Sequence, residues 1–251
     1  MSDNWQSINE FDIVFISYDE PNADENYSAL MDICPWVKRS HGVYGSDAAH
    51  KAAAEMAETD RFITIDADNH VDPNFFNVTV DMNKIGSMDV ISWAGKNEIN
   101  GLVYGNGGIK CWPKEVVMNM QTHENAPAGD KRAQVDFCWN INYVQMNNIY
   151  CQVMNNASPL QSWRAGFREG VKMGLVDGDV IDPKNIKMVH DKNYKRLLAT
   201  SVAMFTIKTG WRFLRNGLIS PERRPGTIIF CAHDGVSCST NSRTHCRDSS
   251  A

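Results

Sequence analysis

Phe62-Ile63-Thr64-Ile65-Asp66-Ala67-Asp68-Asn69 is the stretch that says most about how this chain folds. Strand-like, half-apolar sequence ends abruptly there in two aspartates one residue apart. In open α/β sheets, ligands bind outside the carboxyl ends of the strands, so a strand ending in Asp66 and Asp68 predicts a cation site. Mg²⁺ and Mn²⁺ prefer such oxygen ligands and often keep substrate phosphates among their other ligands. The first hypothesis is therefore a site for a divalent metal and a diphosphate.

Sequence context separates this stretch from a second Asp-x-Asp, Asp177-Gly178-Asp179. Because glycine and aspartate tolerate left-handed backbone, the second copy is typical of a turn. Asp66 follows a strand pattern and Asp179 does not, which favours the first copy as the functional one. The structural alternative for Asp66 and Asp68 is a polar strand end followed by a turn.

Short apolar runs alternate with helical patterns around this stretch. The first helix is expected to stop at Pro35, and Ser46 and Asp47 are expected to cap the second. Such a β-α-β-α-β alternation predicts an α/β domain with a mostly parallel sheet. Strands are predicted at residues 12–17, 37–43, 62–65 and 89–93, helices at residues 29–36, 46–56 and 113–120, and a loop at residues 100–108.

The C-terminal third is predicted to contain two helices. Ser158-Pro159-Leu160-Gln161 is a helix start, with a capping serine, proline at the first position and glutamine at the third. That helix is expected to reach about Met173, and it places basic side chains on one face: Arg164, Arg168 and Lys172. A second helix is predicted over residues 197–214, and the polar, Ser-rich tail from residue 235 is expected to be disordered.

Composition places the chain among soluble globular proteins. It has 251 residues, of which 43% are hydrophobic and 22% charged, enough to bury a sizeable core. No apolar run approaches the roughly 20 residues that span a bilayer. The acidic N-terminus, residues 1–5, lacks an apolar signal segment. A cytoplasmic protein without a membrane span is therefore expected.

The seven cysteines fall into two groups. The first group lies in apolar or mixed contexts and is expected to consist of reduced core residues: Cys34, Cys111, Cys138 and Cys151. The second group lies near the C-terminus with two histidines: Cys231, Cys238, Cys246, His233 and His245. A zinc site is an alternative for the second group, although no Cys-x-x-Cys spacing supports it.

Charge is distributed unevenly along the chain. The net charge is −5, yet residues 184–224 contain ten lysines and arginines and only two acidic residues, Asp191 and Glu222. This local excess of +8 leaves −13 on the remainder. The asymmetry favours contact between the C-terminal third and a polyanion, such as nucleotide phosphates, nucleic acid or a membrane surface. A solvated basic helix face is the alternative.

Four stretches resemble the GT-A class of glycosyltransferases, near the family 2 type, and more closely a group of short glycosyltransferase-like proteins of tailed phages. They are IVFISYDEP (13–21), HGVYGSDAAHKAA (41–53), IDADN (65–69) and YGNGGIK (104–110). The resemblance covers about residues 11–175. It implies that residues 1–175 form a GT-A, Rossmann-like domain that binds a nucleotide-sugar and carries catalysis. Residues 176–234 are predicted to be a basic helical region packed on this domain, and residues 235–251 a disordered tail.

The resemblance implies a nucleoside site at the end of the first strand. The loop Ser17-Tyr18-Asp19-Glu20 would hold the nucleoside, and Asp19 or Glu20 would accept hydrogen bonds from the base or the ribose. Lys51, on the helix over the same strand ends, would reach the nucleotide.

The resemblance also implies a metal and sugar site. Asp66 and Asp68 would bridge Mn²⁺ or Mg²⁺ to the diphosphate of a nucleotide-sugar, a UDP-sugar first, with Asp68 as the more direct ligand. Gly107-Gly108 would let the backbone approach the sugar closely. His190 would complete the metal site, as a C-terminal histidine does in several families of the class. A hydrogen-bonded structural histidine is the alternative for His190.

Catalysis requires two further kinds of side chain. Arginines stabilise a leaving diphosphate through bidentate contacts, and Arg164 and Arg168 are the candidates, with a solvated helix face as the alternative. An inverting enzyme also needs a carboxylate base that takes the proton of the acceptor hydroxyl. Asp136 is the candidate base, because its apolar sequence context is expected to desolvate it. A helix N-cap is the alternative role for Asp136.

These features predict a metal-dependent glycosyltransferase that moves a hexose or pentose from a nucleotide-sugar to a hydroxyl acceptor. Phage glycosyltransferases often modify hydroxylated bases of their own DNA, so a hydroxymethylated pyrimidine is one predicted acceptor and the host cytoplasm the predicted location. Two alternatives stay open. One is a non-catalytic phage protein that binds a nucleotide-sugar or nucleic acid, and the other is a phosphatase of the Asp-x-Asp type.

Overall fold

The structure is a computed structural model of the 251-residue chain. It describes residues 4–98, 101, 103–104, 107–130, 133, 137–138, 140–162, 164–165, 175–176, 179–180, 212–214 and 217–219.

Strands and helices alternate through the first part of the described chain. The helices are α1 (Ala23–Ile33), α2 (Ser46–Met56) and α3 (Lys114–Asn119). The strands are β1 (Trp5–Ser7), β2 (Asp12–Ser17), β3 (Lys38–His41), β4 (Arg61–Asp66), β5 (Asn69–Val71), β6 (Thr79–Asp81), β7 (Val90–Asn97), β8 (Val103–Tyr104), β9 (Ile109–Pro113), β10 (Tyr143–Val153), β11 (Leu175–Val176), β12 (Asp179–Val180), β13 (Arg212–Leu214) and β14 (Gly217–Ile219).

Eight of the described strands form one mixed sheet. Its order is β3-β2-β4-β9-β7-β10-β5, and β8 pairs with β7 off this path. β2 runs parallel to β3 and β4, and β10 runs parallel to β7. β9 lies antiparallel between β4 and β7. β5 pairs antiparallel with β10, and β8 pairs antiparallel with β7. The sheet is therefore mixed where a mostly parallel one was predicted, because an apolar run indicates a buried strand but not its direction.

Each face of the sheet carries its own apolar core, since side chains alternate along a strand with a period of two. The core on one face is formed mainly by Ile13, Phe15, Ile63, Ile65 and Trp93 of the sheet with Ala23 and Leu30 of α1. The core on the other face is formed mainly by Val14, Phe62 and Trp112 with Ala53 and Ala54 of α2 and Val117 of α3. Strands β2 and β4 are thus covered on both sides, and they end together at one edge of the sheet.

The predicted elements of the first 120 residues coincide with observed ones, with shifted ends. α1 begins at Ala23, earlier than predicted, because its first turns are polar and add little to the apolar periodicity. It ends before Pro35, as expected. α2 begins at Ser46, and its N-cap is Gly45, with a φ of +92°. Ser46 and Asp47 are therefore the first residues of the helix and not, as was predicted, its caps. The predicted loop over residues 100–108 contains the short strand β8.

The helix start at Ser158 is confirmed. Its Oγ accepts a hydrogen bond from the backbone nitrogen of Gln161 at 3.1 Å, and its carbonyl accepts one from the nitrogen of Ser162 at 3.0 Å. Residues 159–162 and 164–165 are helical. Val176 pairs with Asp179, so β11 and β12 flank the predicted Asp-Gly turn.

The predicted helix over residues 197–214 is wrong at its C-terminal end. Arg212–Leu214 is strand β13 and pairs antiparallel with β14. The sequence signal against a continued helix is Gly217, which lies shortly after the helical pattern and is the first residue of β14. The rest of that predicted helix lies outside the described residues, as do residues 177–178, 181–211, 215–216 and 220–234 of the predicted basic region and the whole tail.

No helix in the described ranges has the length and apolar character needed to cross a membrane.

Four cysteines are buried free thiols, as predicted: Cys34, Cys111, Cys138 and Cys151. Burial raises the pKa of the Cys111 and Cys151 thiols to about 12, so these thiols are unreactive at neutral pH.

Candidate functional site

Asp66 and Asp68 lie at the carboxyl end of β4, on a turn that is held from three sides. The nitrogen of Asp66 donates to the carbonyl of Gly108 at 3.0 Å, and the carbonyl of Asp68 accepts from the nitrogen of Met154 at 2.6 Å. Between them, the buried amide Nδ2 of Asn26 donates to the carbonyl of Ala67 at 2.8 Å. Both aspartates are half-buried. The backbone that carries the two carboxylates is therefore fixed by β9, β10 and α1 together.

The residue after the aspartates reaches back to them. The Nδ2 of Asn69 donates to Asp68 Oδ1 at 2.8 Å and to the carbonyl of Asp66 at 3.3 Å. Its Oδ1 is buried and has no hydrogen-bond partner among the described residues. Sequence analysis assigned no role to Asn69, since a single asparagine after a strand is an ordinary turn residue.

Gly107 and Gly108 are buried, and protein atoms occupy the space where their side chains would lie. A Cβ on Gly107 would come within 2.6 Å of the nitrogen of Gly95 and 2.7 Å of the carbonyl oxygen of Trp93. A Cβ on Gly108 would come within 2.5 Å of Asn69 Cγ. Close packing thus gives both positions a structural reason to be glycine, and the predicted approach to a sugar stays a prediction.

A buried histidine and a lysine lie near Asp66. His50 of α2 is 8% exposed, and its Nδ1 lies 2.8 Å from the carbonyl of Ser46. A carbonyl only accepts, so Nδ1 carries the proton. Burial lowers the pKa of His50, and the charge of Lys110 adds to this, while the Asp66 carboxylate opposes it. His50 is therefore a neutral imidazole at neutral pH.

Lys110 of β9 is half-buried beside the same carboxylates. Its Nζ donates to the carbonyl of Gly107 at 2.8 Å. The raised pKa of Cys151 is caused first by burial, with Asp66 and Asp68 raising it further and Lys110 lowering it. Lys110 lies opposite Thr64 of β4, two residues before Asp66, and the charges of Lys110 and Asp66 act on the same two buried groups, His50 and Cys151. Neither Lys110 nor His50 was predicted to be a site residue, although both lie within the stretches on which the resemblance rests.

The end of β2 carries a hydrogen-bonded network at the same edge of the sheet. Ser17 Oγ accepts from Arg39 Nε at 3.0 Å and lies 2.9 Å from His41 Nδ1. Arg39 also pairs with Asp24 at 2.7 Å and stacks over Tyr27, with 4.8 Å between its Cζ and the ring centroid. The predicted nucleoside-binding serine is therefore buried and already hydrogen-bonded to two side chains of β3.

The remaining residues of the predicted nucleoside loop are more open. Asp19 is exposed, and Glu20 is half-buried, with its Oε2 accepting from the nitrogen of Tyr18 at 2.8 Å. Tyr18 and Tyr44 are 44% and 81% exposed, and their rings meet edge to face with centroids 5.9 Å apart. Two exposed aromatic rings at a strand-end edge offer a surface on which a base could stack.

A reciprocal pair of carboxylates connects α2 to the segment that follows α3. Glu124 Oε2 accepts from the nitrogens of Ser46 at 2.6 Å and Asp47 at 3.3 Å. Asp47 in turn accepts from the nitrogen of Thr122 at 2.6 Å and from the side-chain amide of Asn125. Asp47 is buried, which raises its pKa, but the hydrogen bonds from Asn125 and Thr122 outweigh burial and the pKa lies below its usual value.

The structure thus gathers part of the predicted site. β2 and β4 are neighbouring parallel strands, so the loop Ser17-Tyr18-Asp19-Glu20 and the aspartates Asp66 and Asp68 lie at one edge. Lys51 is half-buried on α2 above them, and its charge acts on Asp47. Arg164 is exposed on the helix that Ser158 caps. Three predicted site residues lie outside the described residues: Asp136, Arg168 and His190.

The donor set at this edge fits a hard divalent cation. Within the described residues, no group of three or more His, Cys, Asp or Glu side chains is placed to hold a metal ion. Asp66 and Asp68 therefore stay the predicted ligands of a cation, without a third protein ligand of these types among the described residues. Mg²⁺ is commonly bound in this way, through one or two carboxylates with substrate phosphates and waters.

Comparisons with known proteins identify a distant structural neighbour. No family model matches the chain, and no curated protein matches it. The chain is weakly similar to the crystal structure of S. aureus TarS 1–349, a GT-A-type glycosyltransferase, with a TM-score of 0.31 and 10% identity over 78% of this chain and 72% of that one. A similarity this low carries no argument about fold or function.

Proposed function

We propose that this protein is a metal-dependent glycosyltransferase that moves a sugar from a nucleotide-sugar, a UDP-sugar first, to a hydroxyl acceptor. One observation carries the proposal. Two half-buried carboxylates, Asp66 and Asp68, lie on a turn fixed from three sides, beside the strand end that presents Ser17. A diphosphate-linked donor needs a cation site and a nucleoside site next to each other.

The chain's own residues supply the donor site in this proposal. The nucleoside lies against the loop from Ser17 to Glu20, with the ring of Tyr18 or Tyr44 against the base. Asp66 and Asp68 hold Mn²⁺ or Mg²⁺, which when bound neutralises charge on the leaving diphosphate. Lys110 adds a fixed positive charge beside them.

Sugar transfer then requires a leaving group and a proton acceptor. In an inverting reaction the acceptor oxygen attacks the anomeric carbon, the bond from that carbon to the diphosphate oxygen breaks, and the diphosphate leaves with the electron pair. Asp136 is proposed to take the hydroxyl proton. Arg164 and Arg168 are proposed to bind the diphosphate, and His190 to complete the metal site.

The acceptor is proposed from charge. The excess of +8 over residues 184–224 favours a polyanion, and a hydroxymethylated pyrimidine in phage DNA is an acceptor of that kind. Phosphate contacts release counterions, so binding of hydroxymethylated duplex should weaken steeply with salt. Duplex binding that does not change with salt would contradict this acceptor and leave the transferase proposal standing.

A binding screen tests the transferase proposal. UDP-, GDP-, CMP- and dTDP-sugars are each added with and without Mn²⁺, and the melting temperature is measured for the wild type, Asp68→Asn and Asp179→Asn. Asp179 belongs to the second Asp-x-Asp and is the matched control. We expect one nucleotide-sugar to raise the melting temperature only with Mn²⁺, in the wild type and the control but not in Asp68→Asn.

A measurement of turnover distinguishes a transferase from a non-catalytic binding protein and from a phosphatase. Release of the nucleoside diphosphate, or of CMP if the donor is a CMP-sugar, is measured for the same three proteins with the nucleotide-sugar that binds. Binding without turnover on any acceptor would favour a non-catalytic binding protein, and hydrolysis of simple phosphate monoesters would favour a phosphatase. Full transfer by Asp68→Asn would overturn the metal-dependent proposal.

A further inference from the structure

Asn69 is the most deeply buried polar side chain that touches the two aspartates. It is 2% exposed and starts β5, directly after Asp68. Its Nδ2 lies 2.8 Å from Asp68 Oδ1 and 3.3 Å from the carbonyl oxygen of Asp66. One amide nitrogen therefore bridges a side-chain oxygen of one aspartate and the backbone of the other.

The hydrogen-bond partners determine the orientation of this amide. Both groups that face Nδ2 are acceptors, a carboxylate and a carbonyl. The reversed amide would place Oδ1 against the same two acceptors and lose both bonds. The nitrogen therefore points at Asp68, and the contact is a charge-assisted hydrogen bond, which is shorter and stronger than a neutral one.

This orientation leaves a buried oxygen unsatisfied. Asn69 Oδ1 has no hydrogen-bond partner among the described residues. Such a buried polar atom destabilises the folded state. An unsatisfied buried polar atom in a folded protein needs an explanation, and a role of this amide at Asp68 supplies one.

Gly108 makes the space in which Asn69 lies. A Cβ at position 108 would come within 2.5 Å of Asn69 Cγ and 2.8 Å of its Oδ1. Gly108 is not one of the glycines with positive φ, so its backbone tolerates alanine and the Asn69 side chain is the main obstacle. Asn69 of β5 and Gly108, which directly precedes β9, therefore maintain one contact to Asp68.

We propose that Asn69 is a positioning residue for Asp68: its amide holds the carboxylate in the orientation in which it binds the divalent cation, and Gly108 provides the room. This inference rests on the proposed function. Asn69 touches neither cation nor substrate in this account and acts only through Asp68. Partners that orient metal ligands typically change metal affinity by about 10–100-fold when they are mutated.

Direct binding of Mn²⁺ tests this role without any turnover. Free Mn²⁺ is measured by electron paramagnetic resonance in titrations with UDP present, for the wild type, Asn69→Ala, Gly108→Ala and the double variant. We expect each single variant to bind Mn²⁺ at least about tenfold more weakly. In the Asn69→Ala background, Gly108→Ala should have little further effect, because both act on one contact.

Asn155→Ala is the matched control. Asn155 is also a buried asparagine, and its Oδ1 accepts from Asn97 Nδ2 at 3.4 Å. The substitution should lower the melting temperature while leaving Mn²⁺ affinity within about threefold of wild type. An equal loss of Mn²⁺ affinity in Asn155→Ala would show that general loosening of this region, not Asn69, is responsible.

The outcomes separate this inference from the proposed function. Wild-type affinity in Asn69→Ala, with Mn²⁺ still bound, would overturn the positioning role and leave the metal site intact. Full additivity of the two single variants would also overturn it. A wild type that binds no Mn²⁺, with or without UDP, would instead refute the metal-dependent function itself. If Asn69→Ala fails to fold, Gly108→Ala tests the same contact with the asparagine still present.

Discussion

The carboxylate of Glu124 lies 2.6 Å from the backbone nitrogen of Ser46 and so caps a helix that begins 78 residues earlier in the chain. The same oxygen accepts from the next nitrogen, that of Asp47. An acidic group is favourable at this end of a helix, because it pairs with unsatisfied N–H groups and with the helix dipole. α2, which places His50 and Lys51 over the strand ends, thus depends on a distant residue for its first turn.

Removal of this cap should destabilise the protein. Glu124→Ala is expected to lower the free energy of unfolding by about 0.5–1 kcal/mol, since it leaves two N–H groups of α2 without their acceptor. Urea unfolding followed by circular dichroism measures the change. Glu55→Ala, at an exposed position of the same helix, is the control and should have a smaller effect. Equal stability of Glu124→Ala and wild type would show that the cap contributes nothing.

The reciprocal carboxylate of Asp47 should make stability depend on acid. Its folded-state pKa lies below the unfolded value of about 3.9. The resulting stability is present above that unfolded value and is lost as pH falls through the folded pKa. Asp47→Asn should therefore flatten the dependence of unfolding free energy on pH below about pH 4.

Asn125→Ala provides a second check on Asp47. It removes one donor to the carboxylate, so it should flatten the same region of the pH profile by a smaller amount. The test measures the free energy of unfolding of the wild type, Asp47→Asn and Asn125→Ala at several acidic pH values. An unchanged acid slope in Asp47→Asn would mean that other carboxyl groups account for it.

Tyr44 should contribute to nucleotide binding without contributing to the fold. It is 81% exposed, so Tyr44→Ala is expected to leave the melting temperature unchanged. Loss of a stacked base costs about 1–3 kcal/mol by alanine substitution, so UDP should bind at least about fivefold more weakly. Tyr44→Phe should bind normally. Trp36→Ala, an exposed aromatic before the start of β3, is the control for nucleotide affinity. Isothermal titration calorimetry gives the affinities.

A buried hydrogen bond under α2 should be important for stability. Trp112 Nε1 donates to Thr64 Oγ1 at 2.8 Å, and both residues are buried. Thr64→Val leaves that N–H without an acceptor and should cost about 1–3 kcal/mol of unfolding free energy. In a Trp112→Phe background the same substitution should cost clearly less, because no donor is left. Equal costs in the two backgrounds would show that the bond is energetically unimportant.

Local sequence patterns predicted most of the elements that position the site. β2 and β4 are covered on both faces, so both sequences are rich in apolar and β-branched residues, which a pattern-based prediction finds easily. The first helix was predicted too short at its N-terminus, because a polar first turn resembles a loop. The C-terminal prediction failed at Arg212–Leu214, where pairing with β14 outweighed helical periodicity.

The same patterns located only part of the candidate site. Asp66 and Asp68 were found because they end a strand, and Ser17 because it ends the neighbouring one. His50, Lys110 and Asn69 were missed, since nothing in their immediate sequence marks a histidine, a lysine or an asparagine as part of a site. Their importance follows from what they lie against.

The sequence alone determined that a buried strand ends in two carboxylates, because the apolar and β-branched residues of the strand and the two aspartates after it are neighbours in the chain. Only the tertiary structure decided that β9 runs antiparallel beside that strand, that Gly108 makes room for Asn69, and that Asn69 holds Asp68. Contacts between residues far apart in the chain depend on how strands pair and how side chains fill shared space. Local sequence patterns predict neither strand pairing nor side-chain packing, since each residue's neighbours across the sheet are determined by the whole fold.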